Sequence, residues 1–192
     1  MGKVAQLPRT EVNVVYKICI EPIQINLEIS AERRAKGGFS RIIAFEPDPV
    51  SYKKLCEKFS AESRVMAVNK GLYHQEVVLV FCSSGTRVAA INETGDTQVN
   101  MTSLDAVVGE SSVSFIKMNV EGVELNALNG ARETICRCRP KLAISAYNLP
   151  SHLCQVPFLM RELNPHYDLY LRQHDGGIIE TVAYGKEASV DF

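Results

Sequence analysis

From residue 40 onward the chain alternates short apolar runs with segments whose apolar positions recur at helical spacing. Residues 41–46, R-I-I-A-F-E, hold a short apolar run with β-branched Ile42 and Ile43, the pattern of a strand buried on both faces. Pro-Asp-Pro follows, where Asp48 can cap a helix with Pro49 at its first position, running through Leu55, Cys56 and Phe59. R-V-M-A-V (64–68) and E-V-V-L-V-F (76–81) predict two more strands. The stretch 83–100, with Gly85, Gly95 and several Asn and Thr, predicts a loop, and T-S-L-D-A-V-V (102–108) then opens a short helix.

V-S-F-I-K-M-N-V (113–120) predicts a buried strand, followed by one helix from Val123 to Cys138. Val123, Ala127, Leu128, Ala131, Ile135 and Cys138 make its apolar stripe. Glu121 and Glu124 stand at its positive end, Arg137 and Arg139 at its negative end, and Pro140 stops it. K-L-A-I-S-A-Y (141–147) is a further strand, and residues 151–163 form a helix interrupted or kinked at Pro157. Residues 167–174 and 178–185 close as an antiparallel hairpin with Asp-Gly-Gly between them. The order is that of an α/β protein: a Rossmann-like, mainly parallel sheet with helices on both faces and a C-terminal antiparallel hairpin. Ligands of such sheets bind beyond the carboxyl ends of the strands. Glu46, Asn69, Asn119, Glu121 and Asn148 all fall at those ends.

Composition narrows the class. With 192 residues, 46% hydrophobic and 22% charged, the chain fits a single globular domain. Lys+Arg 21 against Asp+Glu 22, with no basic stripe, gives no footprint for a nucleic-acid backbone. No apolar run is long enough to span a bilayer and no secretory leader opens the chain, so the expected place is the cytoplasm. The cysteines Cys19, Cys56, Cys82, Cys136, Cys138 and Cys154 lack C-x-x-C spacing and are expected as buried free thiols. His74, His152, His166 and His174 lack metal-ligand spacing and read as surface or loop residues, so no metal site is expected.

Two groups remain as candidates for chemistry. Glu46 ends a strand where a nucleotide-binding sheet places an acid for ribose hydroxyls, about 20 residues after a glycine-rich loop. No glycine occurs between Gly2 and Gly37, so that loop is missing and residues 1–38 are an atypical N-terminal segment. Asn119, Glu121 and Glu124 form the other group. Glu124 reads as a helix-start acid, and Glu121, beside Gly122, as either cap or catalyst.

Motifs running in order from I-I-A-F-E-P-D-P-V-S-Y-K-K-L through V-N-K-G-L-Y, T-S-L-D-A-V-V, F-I-K-M-N-V-E-G-V-E-L-N-A-L-N-G-A-R-E-T-I and R-P-K-L-A-I-S-A-Y-N to Y-L-R-Q-H-D-G-G-I-I-E-T-V-A-Y-G resemble the FkbM-type S-adenosylmethionine-dependent methyltransferases over residues 40–185. The resemblance implies the class I methyltransferase fold for residues 39–192, with S-adenosylmethionine as cofactor. The acceptor it implies is a small-molecule or sugar hydroxyl. By position, Glu46 matches the ribose-holding acid, with Asp48 of the same F-E-P-D motif beside it. Asn69 and Lys70 fall where the loop after the third strand nears the adenosine. Asn119 and Glu121 take the places of two acids in K-M-D-x-E-G-x-E, as the catalytic pair. This chain departs from the family pattern in lacking the opening strand and D-x-G-A-x-x-G loop, in Asn119 for an aspartate, and in Asn148 where many members have histidine. Two other readings stay open: a non-catalytic or truncated remnant acting as a binding module, and an NAD-type oxidoreductase using Glu46 for ribose.

Overall fold

The computed structural model describes residues 14–17, 41–81, 97–174 and 180–188. Its main sheet has seven strands: β1 (Val14–Lys17), β2 (Ile42–Phe45), β3 (Val65–Val68), β7 (Phe115–Met118), β8 (Lys141–Ser145), β9 (Tyr167–Gln173) and β10 (Thr181–Glu187). Their order is β3-β2-β1-β7-β8-β10-β9. The first five run parallel, and β10, lying between β8 and β9, runs antiparallel to both. A small second sheet holds β4 (Gly71–Leu72), β5 (Val77–Phe81) and β6 (Thr97–Thr102) in the order β4-β6-β5. The helices are α1 (Pro49–Lys58), α2 (Leu104–Val108), α3 (Glu124–Asn129), α4 (Arg132–Cys138) and α5 (His152–Leu163).

The doubly covered sheet follows from the strand sequences. In β2, Ile43 and Phe45 face the large core with Ile116, Met118, Leu142 and Ile144, while Ala44 faces Leu55 of α1. Alternate side chains of one short strand are therefore dry on both faces, as an unbroken apolar run requires. Asp48 caps α1 as expected, its Oδ1 accepting from the Ser51 N–H at 2.7 Å. Ser103 does the same for α2, accepting from the Ala106 N–H at 3.2 Å.

Several expectations are corrected. A strand does stand in the N-terminal segment: β1 takes an interior place in the sheet, pairing with β2 and β7. Residues 18–40, where a cofactor loop would follow it, lie outside the described residues. The loop expected over 83–100 ends early, since β6 begins at Thr97; its pattern alternates, with Gln98 and Asn100 exposed and Val99 and Met101 buried. Residues 83–96 are outside the described set, as are Cys19, Cys82 and the Asp-Gly-Gly turn. In the hairpin, β10 starts only at Thr181, after Glu180 at φ 73°. Helix α5 is continuous through Pro157. The cysteines are less buried than expected: Cys136 and Cys154 are exposed, and Cys56 and Cys138 half-buried. Cys154 lies off the stripe His152, Val156, Met160 and Leu163 that turns α5 toward the core, which accounts for its exposure.

The helix expected over 123–138 is two helices. All of its stripe is buried except half-buried Cys138, yet the axis breaks at Gly130–Ala131. The cause is a close approach: a Cβ on Gly130 would stand 1.9 Å from the Tyr73 carbonyl oxygen. Asp105 of α2 closes the break from outside. Its carboxylate accepts from the N–H groups of Glu133 and Thr134, at 3.0 and 2.8 Å, and its own N–H donates to the Gly130 carbonyl at 2.9 Å. Two donors left unpaired at the start of α4 are thereby satisfied by another helix. Gly130→Ala is expected to lower stability by about 3 kcal/mol, because the methyl meets backbone that cannot swing aside. The urea midpoint should fall with the slope unchanged; an unchanged midpoint would show that the break tolerates bulk.

Candidate active site

Strand register puts the candidate residues in one row. Phe45 pairs with Val68 and with Lys17, and Met118 pairs with Ile144. Val15 pairs with Ile116, so two residues further on Lys17 stands level with Met118. Asn69, Glu46 and Asn119 are each the next residue beyond this row. They share the carboxyl edge of the sheet. Glu46 and Asn119 leave strands on either side of β1, about 10 Å apart by strand spacing. The chain builds outward one way through β1, β2 and β3 and the other way through β7 and β8. The point of reversal lies between β1 and β7, where open sheets of this kind bind ligands.

On the β2 side, Glu46 is 1% exposed. Its Oε1 accepts from the Asp48 N–H at 2.9 Å, which folds the E-P-D turn back on the strand end. Asn69 closes the same turn from β3, its Nδ2 donating to the Glu46 and Pro47 carbonyls at 2.8 and 3.2 Å. Asp48 is engaged at the helix cap. Lys70 points to Glu76, Nζ to Oε1 2.9 Å, and holds that carboxyl below its ordinary range. Asn69 and Asp48 thus shape the wall around Glu46, and Lys70 is committed to a surface ion pair.

On the β7 side the backbone itself is unusual. Glu121 has φ 53° and Gly122 φ 98°. Glycine adopts such values freely, but a glutamate there costs roughly 1–2 kcal/mol and needs support. Glu124 supplies it. Wholly buried, it accepts from the Val120 N–H at 2.9 Å through Oε1 and from the Gly122 N–H at 3.1 Å through Oε2. One carboxylate thus grips the peptide groups on either side of Glu121. It also accepts from Asn148 Nδ2 at 2.5 Å, and His152 Nδ1 lies 3.0 Å from Oε2, off the line of a good hydrogen bond. Asn148 Nδ2 reaches Asn119 Oδ1 at 3.0 Å, and Asn119 Nδ2 reaches the Tyr147 hydroxyl at 3.2 Å.

Three of these residues were undervalued in the sequence. Glu124 is a helix-start acid and also the centre of the network. His152 is buried rather than on the surface; its place on the apolar stripe of α5 was a legible sign. Tyr147, whose hydroxyl meets Asn119, gives no sign of that role in the sequence beyond preceding Asn148. His74, His166 and His174 are exposed as expected. Among the described residues no cluster of three or more His, Cys, Asp or Glu is arranged to hold a metal, and no helix is long and apolar enough to cross a membrane.

The model for the methyltransferase FkbM domain matches residues 24–175. The chain belongs to the FkbM methyltransferase family. Among solved structures, methyltransferase FkbM from Methylobacillus flagellatus KT is 24% identical with a TM-score of 0.69, over 95% of this chain and 45% of that one. The likeness fixes the shared Rossmann-like fold, and this FkbM chain spans less than half the length of that relative. The 23S rRNA methyltransferase ErmE aligns over 94% of this chain and 63% of its own, at 10% identity and a TM-score of 0.43, too distant to inform the site. No curated protein matches the sequence.

The grip on Glu121 can be tested directly. Glu124→Gln puts an amide N–H₂ against N–H donors, which turns one buried acceptor into a repulsive contact. A loss of about 3 kcal/mol in urea denaturation is expected. Unaltered stability would mean that the 119–122 turn is held by something else.

Proposed function

We propose that this chain is an S-adenosylmethionine-dependent methyltransferase that methylates a hydroxyl oxygen of a small molecule, with sugars the expected class. The reading is supported chiefly by one observation: Glu46 and the clamped 119–122 turn flank β1 on the carboxyl edge, at the reversal of strand order. In this reading the protein works in the cytoplasm on a soluble acceptor, without nucleic acid.

The residues fit the cofactor at the ribose end. A carboxylate only accepts hydrogen bonds, and a ribose diol offers two O–H donors. Glu46 is withdrawn from bulk water, where such bonds are worth more than at the surface. Glu46 would hold the ribose, with Asp48 and Asn69 keeping its turn in shape and Lys70 at the rim of the adenosine side. When bound, S-adenosylmethionine supplies a methyl group already activated by its sulfonium. The chain's own task is then to align the acceptor oxygen and take up its proton. Alignment contributes about 7–11 kcal/mol in the best cases, and a placed base about 10²–10⁴-fold. Glu121, half-buried and aimed by its left-handed backbone, is the base or the group that orients the acceptor. Asn119 can hold substrate or cofactor by hydrogen bonds but takes up no proton.

Calorimetry with S-adenosylmethionine, S-adenosylhomocysteine and NAD, side by side, tests the reading. Binding of the first two and not the third is expected, with Glu46→Ala weakening it about 10- to 100-fold, the loss of hydrogen bonds to a charged group. Glu121→Gln should leave that binding intact and lower methyl transfer by about 10²-fold or more. Equal turnover would remove Glu121 from the mechanism. The absence of a glycine between Gly2 and Gly37, together with Asn119, favours a second reading, a binding module without catalysis. Failure of all three ligands to bind would favour it, and binding of NAD alone would point to the oxidoreductase.

A further inference from the structure

The hydrogen bonds running out from Glu124 have a direction. Both of its oxygens accept backbone N–H bonds, so the atom of Asn148 that meets Oε1 at 2.5 Å must be a donor. That settles which end of the Asn148 amide faces Glu124, since its oxygen there would stand against another acceptor. The second proton of the same nitrogen points to Asn119, 3.0 Å away, and only an oxygen can receive it. Asn119 therefore turns its Oδ1 toward Asn148 and its Nδ2 toward the Tyr147 hydroxyl, 3.2 Å away. The Tyr147 oxygen is the acceptor in that contact. One buried carboxylate dictates the orientation of two amides and of what they meet, in a line that ends beside the exit of β7.

We infer that Asn148 is a positioning residue: by spending both amide protons, it locks the Asn119 carboxamide with its nitrogen toward Tyr147 and the site. A carboxamide has two ends of nearly equal shape and opposite hydrogen-bonding sense, so residue 119 needs this lock in a way that a symmetric carboxylate does not. Asn148 acts through Asn119 and need not touch the reacting atoms. Its consequence for catalysis rests on the methyl-transfer reading. The orientation itself does not, and the two can fail separately.

The test uses the full-length, ¹⁵N-labelled chain and follows side-chain amide signals. In the wild type the Asn119 amide protons should show a through-space contact to the Tyr147 ring, and both Asn148 amide protons should exchange with water at least ~10-fold more slowly than an exposed asparagine, as doubly bonded protons do. In Asn148→Ala the Asn119–Tyr147 contact should vanish or broaden. Retention of the contact in Asn148→Ala would overturn the inference. If that variant does not fold, the wild-type measurement decides alone, and exchange of the Asn148 protons at the rate of an exposed asparagine would overturn it equally. S-adenosylhomocysteine failing to bind the wild type, with the amide signals as expected, would count against the methyl-transfer reading and leave the lock standing.

Discussion

The acid-bearing half of the site depends on one carboxylate being both buried and fully engaged. Burying Glu124 carries a desolvation cost of several kcal/mol, and the protein meets it with donors on both oxygens. Two of those donors are the peptide N–H groups of Val120 and Gly122. They belong to the turn in which Glu121 takes its left-handed conformation. Strain and desolvation are unfavourable separately, but here one set of bonds offsets both. An apolar residue at 124 would spare the desolvation and leave the turn without its clamp, so the requirement is for an acceptor with two oxygens.

The second constraint is topological. A parallel sheet delivers every strand end to one edge, but only at the reversal of strand order do the following connections diverge and leave a crevice. Because β1 sits between β2 and β7, the residues that follow those two strands flank the position where such sheets bind ligands. Glu46 and Glu121, 75 residues apart by subtraction of their numbers, are brought to one edge with no interaction needed between them. The break at Gly130 serves the same arrangement from behind. It lets α3 and α4 both keep their apolar faces on the sheet while the backbone passes Tyr73, and it sets where α3 ends and α4 begins.

Much of this was legible in the sequence because it depends on local pattern. The apolar runs of β2, β7 and β8 and the caps Asp48 and Ser103 carry their own signals within a few residues. So did the placing of Glu46, Asn69 and Asn119 at strand ends, since strand boundaries alone decide it. What escaped reading depends on distant partners. Gly130 looks like any helix glycine until Tyr73 is beside it. β1 is four residues long and owes its place to pairing on both sides with strands far along the chain. β6, with its plain alternation from Gln98 to Met101, was open to a local reading and hidden by its Asn and Thr, and the burial of His152 was open to one from its place on the apolar stripe of α5.

The amide at position 119 fits this network better than a loss of function alone would require. An acid there would set a second carboxylate on the far side of Asn148, two anions drawing on one amide nitrogen at the edge of a dry core. Such pairs resist sharing two charges, and one member tends to hold its proton. With Asn119 in place, the line from Glu124 is neutral beyond its first member, and the half-buried carboxyl of the 119–122 turn is that of Glu121. In the proposed methyl transfer, proton uptake from the acceptor would then fall to Glu121 alone, whose backbone is already fixed, and Asn119 would orient. On that proposal an amide at position 119 divides between two residues the tasks that a pair of acids would share, and the direction of that amide becomes part of the architecture of the site.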